Sequence, residues 1–181
     1  MRIISGKLKG RRLKSFKADH IRPTTDRVKE TLFNILMSDV PDARVLDLFS
    51  GTGNLAIEAW SRGAKYVEAV ELNKKSIFII RDNLKELGIE KEIKIVASDV
   101  FKYVKSYKGE PFDLVFVDPP FTEKIAHSSM EAIALSRVCR PGGVVIIESS
   151  AQERIDDEYK SFKLLDRREF GDKSASIFRN D

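Results

Sequence analysis

The stretch Val45-Leu46-Asp47-Leu48-Phe49-Ser50-Gly51-Thr52-Gly53 decides the fold of this chain. Its first four residues form a short, mostly apolar run that predicts a buried strand, and its glycines predict a tight turn. Leu55, Ile57 and Trp60 then predict a helix that ends at Gly63. A strand, a glycine turn and a helix in this order are typical of the opening unit of an alternating α/β domain.

The same alternation continues outward from this unit. Further strands are predicted over 66–71, 93–97, 112–117 and 144–148, followed by a closing hairpin over 162–169 and 174–179. One helix is predicted from Lys74, and another, carrying Met130 and Val138, is expected to end at Pro141-Gly142. These elements predict a Rossmann-like α/β fold, with a mostly parallel seven-stranded sheet covered by helices on both faces.

Composition places the chain among ordinary globular domains. It has 181 residues, of which 42% are hydrophobic and 33% are charged. No apolar stretch approaches the roughly 18 residues of a membrane span, and the start of the chain lacks the apolar region of a secretory signal. The single cysteine, Cys139, excludes an internal disulfide, and no Cys/His cluster predicts a metal site. We therefore expect a cytoplasmic protein with no metal and no membrane partner.

Positive charge is concentrated at the start of the chain. Residues 1–30 contain ten Lys/Arg and three acids, which gives them a charge of +7 within a chain of net charge +4. We divide the chain into a basic arm and helix over 1–40 and a body over 41–181, with a small hairpin pairing 2–5 with 11–14. A basic arm on a mildly acidic body favours a polyanionic partner bound through its phosphates, although a solubilising tail is the alternative.

Acidic residues close four successive strands of the predicted sheet. Because ligands of such sheets bind outside the carboxyl ends of the strands, these side chains are candidates for one common site. They are Asp47, Glu71, Asp99 and Asp118.

The glycine turn has two possible ligands. Gly51-x-Gly53-x-x-Ala56 satisfies a loose dinucleotide fingerprint, with Glu71 about 20 residues further on. However, Asp47 lies where a pyrophosphate would rest, and a carboxylate there repels phosphate but suits an ammonium and a sulfonium. The turn therefore favours S-adenosylmethionine, with Glu71 on the ribose hydroxyls and Asp99 on the adenine amine. The predicted cofactor site comprises Asp47, Phe49, Gly51, Thr52, Gly53, Glu71, Leu72, Asp99 and Val100.

Asp118-Pro119-Pro120-Phe121 is the candidate catalytic segment. Two prolines make a stiff corner without backbone donors, so that the Asp118 carboxylate and the Pro119 carbonyl can both accept from one planar amine. Phe121 offers a face on which a base can stack, and a base buried in a helix must first be flipped out. Methyl transfer to an exocyclic amine, driven by proximity and without a covalent enzyme intermediate, follows from this arrangement.

Four segments together resemble a known family. They are GKLKGRRL (6–13), RPTTDRVKETLFNIL (22–36), VLDLFSGTGNLAIEAWSRGA (45–64) and VDPPF (117–121), and they look like the bacterial RsmD-type methyltransferases. The resemblance implies the class I methyltransferase fold, S-adenosylmethionine as cofactor, and transfer to the N2 amine of one guanine in 16S ribosomal RNA of an assembled or assembling subunit. It also implies that 22–27 approach the acceptor. Predicted substrate-binding residues are Arg11, Arg12, Arg22, Thr24 and Arg27.

The chain departs from the family pattern at three positions. Phe121 stands where the family often has Tyr, and Asn54 and Trp60 replace smaller or apolar residues, which we interpret as packing variants. A DNA or other RNA amine methyltransferase, an NAD-type oxidoreductase and a non-catalytic RNA-binding assembly factor remain alternatives. Only about forty residues lie outside the body, so recognition of the target is expected to rest on the shape of a folded RNA rather than on duplex sequence.

Overall fold

The computed structural model describes residues 1–15, 26–121 and 125–181. Its strands are β1 (Arg44–Leu48), β2 (Tyr66–Glu71), β3 (Ile93–Ala97), β4 (Phe112–Val117), β5 (Cys139–Ser150), β6 (Glu158–Tyr159), β7 (Phe162–Phe170) and β8 (Lys173–Asn180). Its α-helices are α1 (Asp26–Ile35), α2 (Asn54–Ser61), α3 (Lys74–Leu87), α4 (Val100–Ser106) and α5 (Ala126–Ala134), and a short 3₁₀ turn spans Gly6–Leu8.

The strands form one sheet in the order β3-β2-β1-β4-β5-β8-β7-β6. Strands β1 to β5 are parallel to one another, whereas β8 runs antiparallel to β5 and β7, and β6 runs antiparallel to β7. The chain order reverses between β1 and β4, and the carboxyl ends of these two strands therefore border the crevice where such sheets bind ligands.

Three details differ from the sequence-based expectation. The sheet has eight strands rather than seven, because the two-residue β6 adds an antiparallel edge too short to leave an alternating pattern. Helix α5 ends at Ala134 rather than at Pro141-Gly142, since buried Val138 accepts a hydrogen bond from Phe112 N and the next residue already begins β5. Helix α4 was not expected, because seven residues are too few for a helical period to recur.

Two apolar layers lie on opposite faces of the sheet. Val45, Phe116 and Ile146 belong to the layer that contains α1, α2 and α3. Leu46, Val115 and neighbouring side chains of the other face pack with α4 and α5. The alternation of layers along each strand confirms the prediction that helices cover both faces.

The N-terminal arm packs against α2 rather than standing apart from the body. Of the hairpin predicted to pair 2–5 with 11–14, the structure has one isolated antiparallel bridge, between Arg2 and Arg12. Gly6 lies so close to the end of α2 that a Cβ there would be 1.8 Å from the carbonyl oxygen of Ser61, so only glycine fits. Ile3 is completely buried in the same layer as α1 and α2.

Candidate active site

The glycine turn between β1 and α2 is built from left-handed backbone. Phe49 has φ +59°, an unusual conformation for a bulky residue, and Gly53 has φ +78° at the start of α2. A Cβ on Gly53 would be 3.2 Å from the Cγ2 atom of Ile80. Glycine at this position therefore allows the left-handed turn and also lets α3 pack close to it. Strained backbone of this kind is concentrated at functional sites.

Asp47 lies beneath the turn and holds it together. Its Oδ2 atom accepts hydrogen bonds from Ser50 Oγ at 2.6 Å and Ala56 N at 3.1 Å, and the residue is almost entirely buried. Burial raises the pKa of Asp47 to about 7, and the negative charges of Asp118 and Glu71 act in the same direction. The carboxyl group is therefore poised near neutral pH within a cluster of acids.

Glu71, at the end of β2, connects that strand to the turn. Its Oε2 atom accepts a hydrogen bond from Gly51 N at 2.8 Å, and its Oε1 atom accepts one from Asn73 N at 2.7 Å. The next residue, Leu72, is 64% exposed, unlike the apolar residues of the sheet. An exposed apolar side chain beside a fixed carboxylate offers a surface for a flat ring and an acceptor for hydroxyls.

Asp99 and Val100 follow β3 at the same edge of the sheet. The Asp99 side chain caps α4 by accepting a hydrogen bond from Lys102 N at 2.8 Å, while the residue remains exposed. Val100 is buried in the second apolar layer. The capping bond fixes the direction of the Asp99 carboxylate at the carboxyl end of the strand.

The proline corner lies beside the glycine turn because β4 pairs with β1. Leu48 and Val117 are register partners, and Asp118 N donates to the carbonyl oxygen of Leu48 at 3.4 Å. Asp118 and Phe121 are half-buried, whereas Pro119 is buried. The topological switch point therefore joins a turn that can hold a cofactor to a corner rich in acceptors.

The charge of this crevice fits S-adenosylmethionine better than a dinucleotide. Three acids, Asp47, Glu71 and Asp118, interact electrostatically at the carboxyl ends of three adjacent strands. Such a cluster repels a pyrophosphate and attracts a ligand that carries a sulfonium and an ammonium. The exposed Leu72 and the Glu71 carboxylate lie at the same edge of the sheet, and their contacts with its nucleoside remain a prediction.

Comparison with known proteins agrees with this geometry. A family model described as Conserved hypothetical protein 95 matches residues 1–179. Ribosomal RNA small subunit methyltransferase D of Haemophilus influenzae is 32% identical over 182 residues, covering 99% of this chain and 94% of that protein. The Escherichia coli protein of the same name is 34% identical over 152 residues, covering 84% of this chain and 76% of that protein.

The chain belongs to the ribosomal RNA small subunit methyltransferase D family.

Solved structures related to the family share the whole fold. Escherichia coli yhhF, assigned as a methyltransferase, superposes with a TM-score of 0.88 at 30% identity, covering 100% of this chain and 98% of that chain. Haemophilus influenzae HI0767, assigned as a methylase, gives a TM-score of 0.84 at 31% identity, covering 99% and 97%. The predicted family resemblance and the predicted fold are confirmed.

The predicted substrate-binding residues are only partly described. Arg11 and Arg12 are exposed on the arm, and Arg27 is exposed on α1. Arg22 and Thr24 lie outside the described residues. The family assignment does not test the role of any of these five, which therefore remain predictions.

A buried polar network, which was not predicted from the sequence, joins the arm, α1 and α2. Lys29 Nζ lies 3.0 Å from Glu58 Oε2 and donates to Asn54 Oδ1 at 2.8 Å and to the carbonyl oxygen of Arg2 at 2.6 Å. Burial lowers the pKa of Lys29 while Glu58 opposes that change. Asn54 is thus a partner of a buried ammonium and not merely a packing variant. A lysine among the apolar positions of α1 was the sequence feature that could have indicated this network.

Asn83 is a second residue that the sequence analysis missed. It lies on the buried face of α3, where its side chain donates to the carbonyl oxygens of Thr52 at 3.1 Å and Lys14 at 3.2 Å and accepts from Lys14 N at 2.8 Å. One buried amide therefore fastens the end of the described arm to the glycine turn. An asparagine between the apolar Ile80 and Leu84 was the signal that could have identified it.

Three further observations concern the described part of the chain. Burial raises the pKa of the Cys139 thiol to about 12, so it is protonated at neutral pH and a poor nucleophile. Among the described residues, no group of three or more His, Cys, Asp or Glu is arranged to hold a metal ion. None of the described helices is long and apolar enough to cross a membrane.

Proposed function

We propose that this protein transfers a methyl group from S-adenosylmethionine to the exocyclic N2 amine of a guanine in small-subunit ribosomal RNA. One observation carries the proposal: the pairing of Leu48 with Val117 brings the glycine turn and Asp118-Pro119-Pro120-Phe121 together at the switch point of the sheet. The name of its relatives, ribosomal RNA small subunit methyltransferase D, supports the class of substrate.

The cofactor would lie along the carboxyl ends of β1, β2 and β3. Glu71 is suited to the ribose hydroxyls and Asp99 to the adenine amine, with Leu72 against the flat ring. When bound, S-adenosylmethionine supplies a methyl group on a positively charged sulphur that an amine nitrogen can attack. The other proposed cofactor residues shape the turn and its surroundings; they are Asp47, Phe49, Gly51, Thr52, Gly53 and Val100.

The proline corner would hold the acceptor. The Asp118 carboxylate and the Pro119 carbonyl accept the two protons of one planar amine, which orients the nitrogen and increases its electron density. Pro120 keeps the corner stiff, and Phe121 stacks on the flipped base, a contact worth roughly 1–3 kcal/mol. On methylation the new N–C bond would form as the S–C bond of the donor breaks and S-adenosylhomocysteine leaves, and the proton that the amine loses would be held first at Asp118.

The arm would contact the RNA backbone. Arg11, Arg12 and Arg27 are exposed, and we include Arg22 and Thr24 in the same surface on the family pattern. In this proposal residues 1–40 form the RNA-facing part and residues 41–181 form the methyltransferase body. We infer that the substrate is recognised through the shape of an assembled or assembling subunit and that the enzyme acts in the cytoplasm.

Methyl transfer to unmodified small subunits tests the proposal. Subunits are incubated with labelled S-adenosylmethionine, and the modified nucleotide is mapped. We expect label on N2 of a single guanine in the wild-type reaction. Asp118→Ala should abolish incorporation while leaving RNA affinity and binding of S-adenosylhomocysteine largely intact, and Asp166→Ala, which removes an acid from the exposed part of β7, should leave the rate unchanged.

Three outcomes would overturn the proposal. Label on duplex DNA but not on subunits would indicate a DNA methyltransferase. Tight NAD binding without binding of S-adenosylmethionine would indicate an oxidoreductase. RNA binding without any transfer would indicate an assembly factor.

A further inference from the structure

Lys173, in the C-terminal hairpin, contacts the proposed catalytic segment. It is the first residue of β8 and pairs with Ser150, which is the last residue of β5. Its Nζ atom lies 3.7 Å from the centroid of the Phe121 ring. An ammonium at this distance over an aromatic face makes a strong cation–π contact.

The ammonium of Lys173 also forms an ion pair with Glu148. Glu148 Oε2 lies 3.8 Å from Lys173 Nζ, and the two side chains are only 3% and 13% exposed. A lysine normally keeps its charged end in water, as Lys163 on β7 does with a 60% exposed side chain. Lys173 instead contacts both a buried carboxylate and an aromatic ring and has little exposure to solvent, so its position over Phe121 is specific.

This contact decides which face of Phe121 a base can use. A phenylalanine ring has two faces and no polar atom that could fix its orientation. Lys173 covers one face, so a flat base can stack only on the other. The cation also draws electron density of the ring toward itself, which favours stacking of an electron-rich purine on the opposite face.

We propose that Lys173 is a positioning residue for the acceptor base: it clamps the Phe121 ring from one side so that the target guanine stacks on the other side, beside Asp118. This inference rests on the function proposed above. It adds that the C-terminal β7–β8 hairpin completes the site, although none of its residues belongs to the glycine turn or the proline corner.

The test measures steady-state methylation of unmodified small subunits by Lys173→Met. We expect KM for subunits to rise about fivefold, which corresponds to about 1 kcal/mol, while KM for S-adenosylmethionine stays within about twofold. Lys173→Arg, which keeps a cation able to stack, should restore KM to near the wild-type value. Lys163→Met is the matched control, because it removes the same charge from the neighbouring strand and should leave both constants unchanged.

A double-mutant cycle separates the clamp from a merely structural role. In a Phe121→Leu background there is no aromatic face to clamp, so Lys173→Met should cause no further rise in KM. A rise of the same size in both backgrounds would overturn the inference, as would an unchanged or lowered KM for Lys173→Met alone. Lys173→Gln, which lacks the charge but keeps a polar group near Glu148, should reproduce the effect of Lys173→Met if that variant folds poorly.

The cycle also distinguishes the two proposals. A wild-type enzyme that methylates subunits but shows no coupling between Lys173 and Phe121 contradicts the clamp alone. A wild-type enzyme that transfers no methyl group contradicts the proposed function and, with it, the clamp.

Discussion

Lys29 and Glu58 form an ion pair at 3.0 Å with neither side chain exposed to solvent. Glu58 also accepts hydrogen bonds from the backbone of the arm, from Ile4 N at 2.9 Å and Ser5 N at 3.1 Å. Because α2 begins at the glycine turn, this pair ties the arm and α1 to the helix that follows the proposed cofactor site. The described part of the arm, residues 1–15, therefore packs against the folded body.

Breaking this pair should be strongly destabilising. Lys29→Met removes the ammonium partner of the buried Glu58 carboxylate. Because Arg62 Nε still pairs with Glu58 Oε1 at 2.7 Å, we expect the free energy of unfolding to fall by about 3 kcal/mol, the lower end of the range for a broken buried pair. Urea unfolding followed by circular dichroism measures the change. Arg2→Met, which removes the exposed partner of Asp26, is the control and should cost less than about 1 kcal/mol. Equal effects of the two variants would contradict the assignment.

Asp47 should make stability fall with rising pH. Between pH about 4 and the folded-state pKa of about 7, the folded chain keeps a proton on Asp47 that the unfolded chain has released. The free energy of unfolding should therefore decrease as the pH rises through this window. Chemical denaturation at several pH values checks the slope, and Asp47→Asn should remove the part of the decrease that belongs to this residue.

The same group should couple cofactor binding to proton release. A cationic ligand favours the ionised form of Asp47, so binding of S-adenosylmethionine at pH 7 should release about half a proton. Calorimetry in phosphate and in Tris should give different binding heats, because the two buffers take up protons with different enthalpies. Asp47→Asn should make the heats agree. Identical heats for the wild type would count against the assigned pKa.

The basic residues of the arm should differ in their effect on RNA binding. All three residues are exposed, but Lys14 pairs with the carboxylates of Asp82 at 2.6 Å and Glu86 at 2.5 Å, whereas Arg11 donates only to the carbonyl oxygen of Glu86 at 3.2 Å. We expect Arg11→Met and Arg12→Met each to reduce the slope of log affinity against log salt by about 0.7, the value for one contact with a single-stranded phosphate. Lys14→Met should leave this slope unchanged. Filter binding of small-subunit RNA at several salt concentrations distinguishes the three variants.

Asn83 should affect both stability and cofactor affinity. Asn83→Ala leaves the carbonyl oxygen of Thr52 and the backbone of Lys14 without their partner, at a cost of about 2–3 kcal/mol in unfolding. Because Thr52 belongs to the glycine turn, KM for S-adenosylmethionine should also rise severalfold. Asp82→Ala, on the exposed side of the same helix, is the control, for which we expect an effect below about 1 kcal/mol and an unchanged KM. A stable Asn83→Ala variant with normal KM would show that the turn does not depend on this amide.

Local patterns predicted most of the fold. The glycine turn, the five parallel strands and the closing hairpin each span few residues, and their apolar spacing and turn residues identify them directly. The predicted end of α5 was wrong because helical spacing and strand pairing compete for the same residue. Val138 fits a helical spacing, yet the strand pairing that begins beside Phe112 removes it from α5. The two-residue β6 left no pattern to detect.

Side-chain partners across the chain could not be predicted in the same way. Lys29 and Glu58 are 29 positions apart, Thr52 and Asn83 are 31 apart, and Phe121 and Lys173 are 52 apart. Each of these residues has an ordinary explanation when it is considered alone. Only the packing of α1, α2, α3 and the C-terminal hairpin against the sheet makes the pairs visible.

Three features could be predicted from the amino-acid sequence: the strand, turn and helix around Asp47, the stiff corner at Asp118, and the class of ligand that these acids favour. They depend on backbone conformation and charge, which act over a few neighbouring residues. Three contacts became visible only in the tertiary structure. Glu58 accepts hydrogen bonds from the arm, Asn83 bonds both the arm and the glycine turn, and Lys173 lies over Phe121. These are contacts between distant segments, and they exist only once burial has removed the competing water from both partners.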